Sequence, residues 1–250
     1  MAKVEIFGLL GCNISYSRSP EIFHKLWEGD STPREYRLID TNDPTSFIEE
    51  VRQDSSWRGF SVTIPYKEWI IPYLDDLTVV GKSIGAINAV RVLNGHLIGH
   101  NTDVSGFLTP LAPYFNNGFL SPDKQALVLG TGGAAKAVRY GLESKGIKVM
   151  TVSRSKERGD LTYEEMTKNL LHNTSIIVNA TPLGGKQYPH LAPPIPYHLL
   201  NANHLLYDLT YTDNSGFLAH APNECQKLNG MAMLEAQAIS ALQFFVNGKL

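Results

Sequence analysis

LVLGTGGAAKAV, residues 127 to 138, decides the fold: an apolar run ends in a glycine turn and continues as an alanine-rich stretch with helical character. Gly130, Gly132 and Ala135 hold the three positions of the G-x-G-x-x-G/A pattern. Small residues there allow a tight turn, close approach of backbone to a pyrophosphate, and packing of helix on strand. The backbone N–H groups at the helix start, including those of Gly133 and Ala134, suit a phosphate. Such a turn also occurs as a purely structural feature, and its place between a strand and a helix is what favours dinucleotide binding. The next strand, IKVMTVSR (147–154), leads into Ser153, Arg154, Ser155 and Lys156, where an NAD-specific site carries an acid on the ribose 2′-hydroxyl. Two cations and two hydroxyls suit a 2′-phosphate, so NADP is favoured over NAD. Arg and Lys at a strand end are also ordinary solvated charges, and Glu157 and Asp160 keep an NAD reading open.

Outward from this turn, short β-branched or aliphatic runs recur: VEIFGLL, EYRLID, GFSVTIP, INAVRVL, HLIGHN, KQALVLG, SIIVNAT and HLLYDLT. Between many of them lie helix-period segments, PEIFHKLWE, TSFIEEVRQ, AAKAVRYGLESK, YEEMTKNLLH and MLEAQAISALQFFV. The alternation predicts an α/β protein with two α/β domains and mostly parallel sheets, the second of Rossmann type. INAVRVL and HLIGHN are joined by Asn94-Gly95, a type I′ hairpin signal, which predicts an antiparallel pair closing the first sheet. Prolines and Gly118 mark a loop before the second strand series, and the domain change is placed near Asp103. The expected division is 1–103, completed by 230–250, and 104–229, with the last helix, apolar on most of its circumference, packing back on the first domain.

The 250 residues are 43% hydrophobic and 18% charged with a net charge of -2, enough apolar material for full cores and no bulk attraction to nucleic acid or anionic membrane. Small molecules are the expected partners. MAKVEIFGLLGC lacks a secretory cleavage signal, and no run approaches the roughly 20 apolar residues of a membrane span. Cys12 and Cys225 are too few for a disulfide framework or a zinc site, so no metal is expected and a cytoplasmic location is.

Three segments of the first half combine strand ends with reactive or polar groups: SVTIPYK (61–67), GAINAV (85–90) and GHNTDVSG (99–106). Parallel sheets bind ligands beyond their strands' carboxyl ends, so these segments are expected to share a pocket. Ser19 before Pro20 reads as a helix N-cap with a first-turn proline, leaving Ser17 without a structural duty. Both hydroxyls beside a helix N-terminus would suit a carboxylate.

Seven stretches in register resemble the shikimate dehydrogenases over nearly the whole chain: Ser-x-Ser-Pro at 17–20, V-T-x-P-x-K at 62–67, G-A-x-N at 85–88, N-T-D-x-x-G at 101–106, G-x-G-G-A at 130–134, N-A-T at 179–181 and N-G-x-x-M-L-x-x-Q at 229–237. The resemblance implies reversible reduction of 3-dehydroshikimate by NADPH. Lys67 would be the acid/base and Asp103 its partner, while Ser17, Ser19, Thr63, Asn88, Tyr211 and Gln237 would hold the substrate. Thr181 and Gly230 would join the glycine turn at the cofactor. The chemistry is coherent, since negative charge develops on the ketone oxygen as hydride arrives and a positioned ammonium stabilises it and supplies the proton. Bland readings stand beside these: a lysine is ordinarily a surface charge, Asp103 suits an N-cap, Asn88 a turn, and Gln237 a solvated helix position. Tyr16, Ser61 and Gly185 stand where His, Asn and Met are common, and no Pro follows Tyr211, which leaves quinate open beside shikimate. An NAD-dependent quinate/shikimate dehydrogenase and a non-catalytic sensor of such acids are the alternatives, and the assembly is a monomer or a homodimer.

Overall fold

The structure, a computed structural model, describes residues 3–186, 188–212 and 215–248. The chain divides into two compact units, Met1–Asp103 with Glu235–Leu250, and Val104–Leu234.

The first unit is built on β1 (Glu5–Gly11), α1 (Ser19–Leu26), β2 (Arg34–Asp40), α2 (Thr45–Gln53), β3 (Trp57–Val62), α3 (Tyr66–Trp69), β4 (Asp76–Leu77), α4 (Val79–Ile84), β5 (Ala89–Leu93) and β6 (His96–His100). Its sheet runs in the order β2-β1-β3-β5-β6-β4. β1 is parallel to β2 and β3, whereas β5 is antiparallel to both β3 and β6. Asn94 and Gly95 take φ of 53° and 79°, the left-handed pair that a type I′ turn requires. The hairpin does not close the sheet, because the two-residue β4 pairs parallel to β6 outside it. Period-two alternation divides the apolar side chains between two faces. Ile6, Leu10, Phe60 and Val90 pack with Phe47, Ile48 and Val51 of α2. Phe7 and Ala89 pack on the other face with Phe23 of α1 and Phe244 and Phe245 near the C-terminus. Gly59 leaves room for the Phe245 ring, which occupies the space a Cβ would need.

The second unit contains α5 (Asp103–Leu108, begun by the last residue of the first unit), α6 (Ala112–Asn116), β7 (Gln125–Leu129), α7 (Gly133–Ser144), β8 (Lys148–Ser153), β9 (Leu161–Thr162), α8 (Lys168–His172), β10 (Thr174–Asn179), β11 (Leu205–Asp208), α9 (Gly216–His220) and β12 (Gln226–Leu228). Its six strands are all parallel in the order β12-β11-β10-β7-β8-β9. Val128, Val138 and Leu142 lie in the core of one face; Leu127, Leu129 and Phe217 lie in the other. Helices on both faces of a parallel sheet make this the doubly wound arrangement. The expected helix YEEMTKNLLH is split: a 3₁₀ turn at Tyr163–Glu165 gives way to α8, which Thr167 caps by accepting from the Leu170 N–H. α10 (Met231–Asn247) ends the chain. Among the described residues no helix is long and apolar enough to cross a membrane.

Candidate active site

In the first unit the carboxyl ends of β1 and β3 and the segments flanking β5 and β6 are tied together through the backbone. The Thr63 N–H donates to the Leu10 carbonyl, the Cys12 N–H to Ile64, the Val62 N–H to Asn88, and the Ile87 N–H to Lys67. Lys67, on the short α3, is therefore held against the strand ends by its own carbonyl. Its side chain is only 17% exposed, and Nζ donates to Asp103 Oδ2 at 2.6 Å. The surface-charge reading of Lys67 is thus set aside. The other oxygen, Asp103 Oδ1, accepts from Asn88 Nδ2 at 2.8 Å. Asn101 Oδ1 accepts from the Asp103 N–H, and Asn101 Nδ2 donates to the Ala86 carbonyl. Asn88, Asn101, Thr102 and Asp103 are all buried. Asn88 is accordingly a buried network member rather than a simple turn residue.

At the opening loop the expected cap is reversed. Arg18 occupies the N-cap position of α1 with helical dihedrals and no side-chain cap bond, which puts Ser19 and Pro20 inside the first turn. Ser17 Oγ accepts from the Ser19 N–H at 3.2 Å and lies 3.1 Å from Ser19 Oγ. Ser17 has the helix-start duty, while Ser19 is buried with its hydroxyl beside that of Ser17. Sequence reasoning passed over Tyr36 of β2. Its hydroxyl is buried beside the Ser61 and Ser19 side chains, and burial raises its pKa. Ser17, before α1, and Thr63, after β3, are both half-buried, and a Cβ on Gly11 would sit against Ile14 and the Thr63 methyl. Gln237 is half-buried on α10.

In the second unit Gly130 takes φ of 107°, and a Cβ there would meet the Ala180 carbonyl at 3.1 Å. At Gly132, the N-cap of the 12-residue α7, a Cβ would meet nothing within 4 Å, and no side chain caps the helix. The turn thus presents N–H groups, those of Gly133 and Ala134 among them, to open space, which fits a pyrophosphate. Asp160, the acid that could have suited NAD, is engaged elsewhere: Oδ2 accepts from Arg139 Nη1, the Thr151 N–H and Thr151 Oγ1. Ser153 Oγ bonds both the N–H and the carbonyl of Ser155, shaping the turn, and Lys156 pairs with Glu165 at 2.7 Å. Among the described residues, Arg154 and Arg158 are in no ion pair. Arg158, which sequence reasoning passed over, closes the turn with its N–H on the Ser155 carbonyl.

Beyond β10 and β11 a buried carboxylate organises two loops. Asp208 accepts from Asn179 Nδ2, the Thr210 N–H and the Ser215 hydroxyl, and burial raises its pKa against those donors. Asn179 in turn accepts from Thr181 Oγ1 at 2.6 Å. Thr181 is therefore held by its own strand end, with its hydroxyl proton already committed. Gly230 is a glycine because the Leu209 and Thr210 carbonyls fill the place of its Cβ, and its N–H donates to the Thr210 carbonyl. Tyr211 follows directly and is half-buried.

Residues 9–90 match the family model of the shikimate dehydrogenase substrate-binding domain. The NADP(+) shikimate dehydrogenase of Clostridium botulinum strain 657 is 35% identical over 247 residues, 94% of each chain. The solved shikimate dehydrogenase of Aquifex aeolicus superposes with a TM-score of 0.86 at 29% identity, covering 100% of this chain and 94% of that one. The shikimate 5-dehydrogenase of Thermus thermophilus, solved with NADP(H) and shikimate, gives 0.84 at 29%, covering 98% and 94%.

Proposed function

The chain belongs to the shikimate dehydrogenase family, and from that premise we propose how its own residues carry the reaction. It is an NADP-dependent oxidoreductase that interconverts 3-dehydroshikimate and shikimate, a step toward chorismate and the aromatic amino acids. The observation that carries the residue assignment is the 2.6 Å pair of Lys67 and Asp103, held at converging strand ends.

NADPH, when bound, supplies the hydride. The Lys67 ammonium faces the ketone oxygen, stabilises the charge that develops there and donates a proton to it; in the reverse direction Lys67 takes that proton back. Asp103 holds the Lys67 amine in place and keeps a carboxylate oxygen beside it. Ser17 and Ser19 hold the substrate carboxylate at the start of α1, and Thr63 and Gln237 take ring hydroxyls; the resemblance gives Asn88 and Tyr211 to the substrate as well. The helix start at Gly130, Gly132, Gly133 and Ala134 receives the pyrophosphate. Arg154 and Ser155, joined by Arg158, receive the 2′-phosphate in the turn that Ser153 shapes; Lys156 supports that edge through its bond to Glu165. Thr181 and Gly230 fix the loops at the nicotinamide end. The engagement of Asp160 by Arg139 and Thr151 supports the preference for NADP, since it ties up one of the two acids that would suit a ribose 2′-hydroxyl. We take the enzyme to act in the cytoplasm as a monomer or homodimer.

The test follows reduced cofactor formed from shikimate or quinate with NADP⁺ or NAD⁺. Shikimate with NADP⁺ should have the highest kcat/KM. No turnover above a Lys67→Ala background would remove the assignment; higher kcat/KM with quinate and NAD⁺ would replace shikimate and NADP as the preferred pair.

A further inference from the structure

At the carboxyl ends of β10 and β11, Asn179 and Asp208 stand in register, and neither has any exposed surface. Among the described residues the donors to the Asp208 carboxylate are all neutral, and burying a charge in this way has a cost that folding alone does not require. Each donor belongs to a different segment. Asn179 Nδ2 comes from the end of β10 at 3.0 Å, the Thr210 N–H from the loop after β11 at 2.9 Å, and the Ser215 hydroxyl from the start of α9. Ser215 Oγ also accepts from the Leu218 N–H, which leaves its proton for Asp208. From Asn179 the bonds continue into the loop after β10: Nδ2 donates to the Leu183 carbonyl, and Oδ1 accepts from the Thr181 N–H and hydroxyl. Thr212 Oγ1 donates across to the Gly184 carbonyl at 2.7 Å, and the Thr210 carbonyl holds the Gly230 N–H at 2.9 Å. One carboxylate thus sets residues 181–184, 210–212 and 230 against one another.

We propose that Asp208, acting through Asn179 and Ser215, is a positioning residue for the nicotinamide half of the dinucleotide, holding the two loops so that Thr181 and Gly230 meet that half. The proposal rests on the reading of those two residues as nicotinamide-end contacts. Without the carboxylate, Asn179 and Ser215 lose the acceptor they share, and the loops can shift against each other. The adenosine half, assigned to the turn at Ser153 to Arg158, makes no use of that acceptor. An amide at position 208 would keep an oxygen for Asn179 and Thr210 and could donate to Ser215 Oγ in place of the bond now received.

The experiment measures Kd by calorimetry for NADP⁺, NAD⁺ and adenosine 2′,5′-bisphosphate, which lacks the nicotinamide half, in Asp208→Ala, Asp208→Asn, Ser215→Ala and Gly230→Ala. Asp208→Ala and Ser215→Ala should each raise Kd for NADP⁺ and NAD⁺ by a common factor, about five- to fifty-fold, the scale of a buried group left unpaired. Kd for the bisphosphate should stay within about two-fold of wild type in both. Asp208→Asn, which keeps the hydrogen bonds, should bind all three as the wild type does. Should Asp208→Ala fail to fold, Ser215→Ala decides alone. Unchanged Kd for both dinucleotides in Ser215→Ala overturns the proposal, and so does a Kd for the bisphosphate that rises with them, since a merely structural role weakens both halves alike. Wild-type binding of NADP⁺ by Gly230→Ala would instead overturn the nicotinamide-end reading on which the proposal stands.

Discussion

Lys67 has the composition of a surface residue and the position of an interior one. Only the contact with Asp103, 36 residues away in sequence, distinguishes the two. On the proposed role of Lys67 as proton donor, Lys67→Ala should lower kcat by about 10²- to 10⁴-fold, the usual weight of a positioned acid/base, with shikimate KM little changed. A fall in kcat/KM due wholly to KM would make Lys67 a binding group. The resemblance carried by V-T-x-P-x-K and N-T-D made this pair legible in the sequence. The bond from Asn88 to Asp103 was not, because it depends on where the fold buries both residues. Ser19 is not the N-cap that Ser-x-Ser-Pro suggests, because the stretch offers two hydroxyls two residues apart and only backbone dihedrals fix where the helix starts. His100 was passed over entirely. It is buried against Phe244, with Nδ1 2.7 Å from Thr78 Oγ1, and burial pushes its pKa from 6.5 down to about 4. Between those values the unfolded chain binds a proton that the folded one refuses. Stability from the neutral ring is therefore fully present above pH 6.5 and is lost as pH falls toward 4, by about 3 kcal/mol at most. Urea midpoints measured across this window should drop more steeply for the wild type than for His100→Gln; parallel slopes would refute the account.

Long periodic elements were readable as elements, and the short ones were not. β4 and β9 have two residues and β12 three, too few for alternation to register, and their existence is decided by the edge each pairs with. α4 carried readable signals, with Thr78 capping it and Gly85 ending it at φ 67°, but six residues did not raise a helical period. Glycines at element ends also separate two causes of sensitivity. At Gly85 a Cβ meets nothing within 4 Å, so Gly85→Ala should cost only the left-handed backbone strain, about 1–2 kcal/mol, seen as a lower Tm at unchanged KM. At Gly230 the backbone has no such strain, but a Cβ would lie 2.8 Å from the Thr210 carbonyl, so the segment before Tyr211 must move. Gly230→Ala should therefore cost about 1–3 kcal/mol as overpacking and also raise the KM for NADP⁺. Equal effects of the two substitutions on Tm with neither touching KM would show that the Gly230 contact matters only to folding.

At the scale of the whole molecule, two sheets of different connectivity sit on one chain. The first contains an antiparallel hairpin, and the second is wholly parallel. That α/β architecture was legible because the glycine turn at 130–134 restarts a strand series. The chain leaves the first unit at Asp103 and re-enters it at Glu235, within α10. Sequence could not give a return point inside a continuous helix, since helical periodicity does not change there. The candidate substrate groups Ser17, Ser19 and Thr63 belong to one unit and the candidate phosphate groups to the other, so each ligand's stabilisation can be removed by itself. A ligand at a hundred times its Kd stabilises the folded chain by about 2.7 kcal/mol, which a thermal-shift measurement resolves. In Arg154→Ala/Arg158→Ala the shift produced by NADP⁺ should fall to that produced by NAD⁺, the outcome expected of the proposed 2′-phosphate site. The shift from shikimate should survive in that protein and be lost in Ser17→Ala, whose NADP⁺ shift should survive in turn. If the double Arg substitution lowers the NADP⁺ and NAD⁺ shifts equally, those arginines act on a part the two cofactors share, and the preference for NADP must arise elsewhere in the second unit.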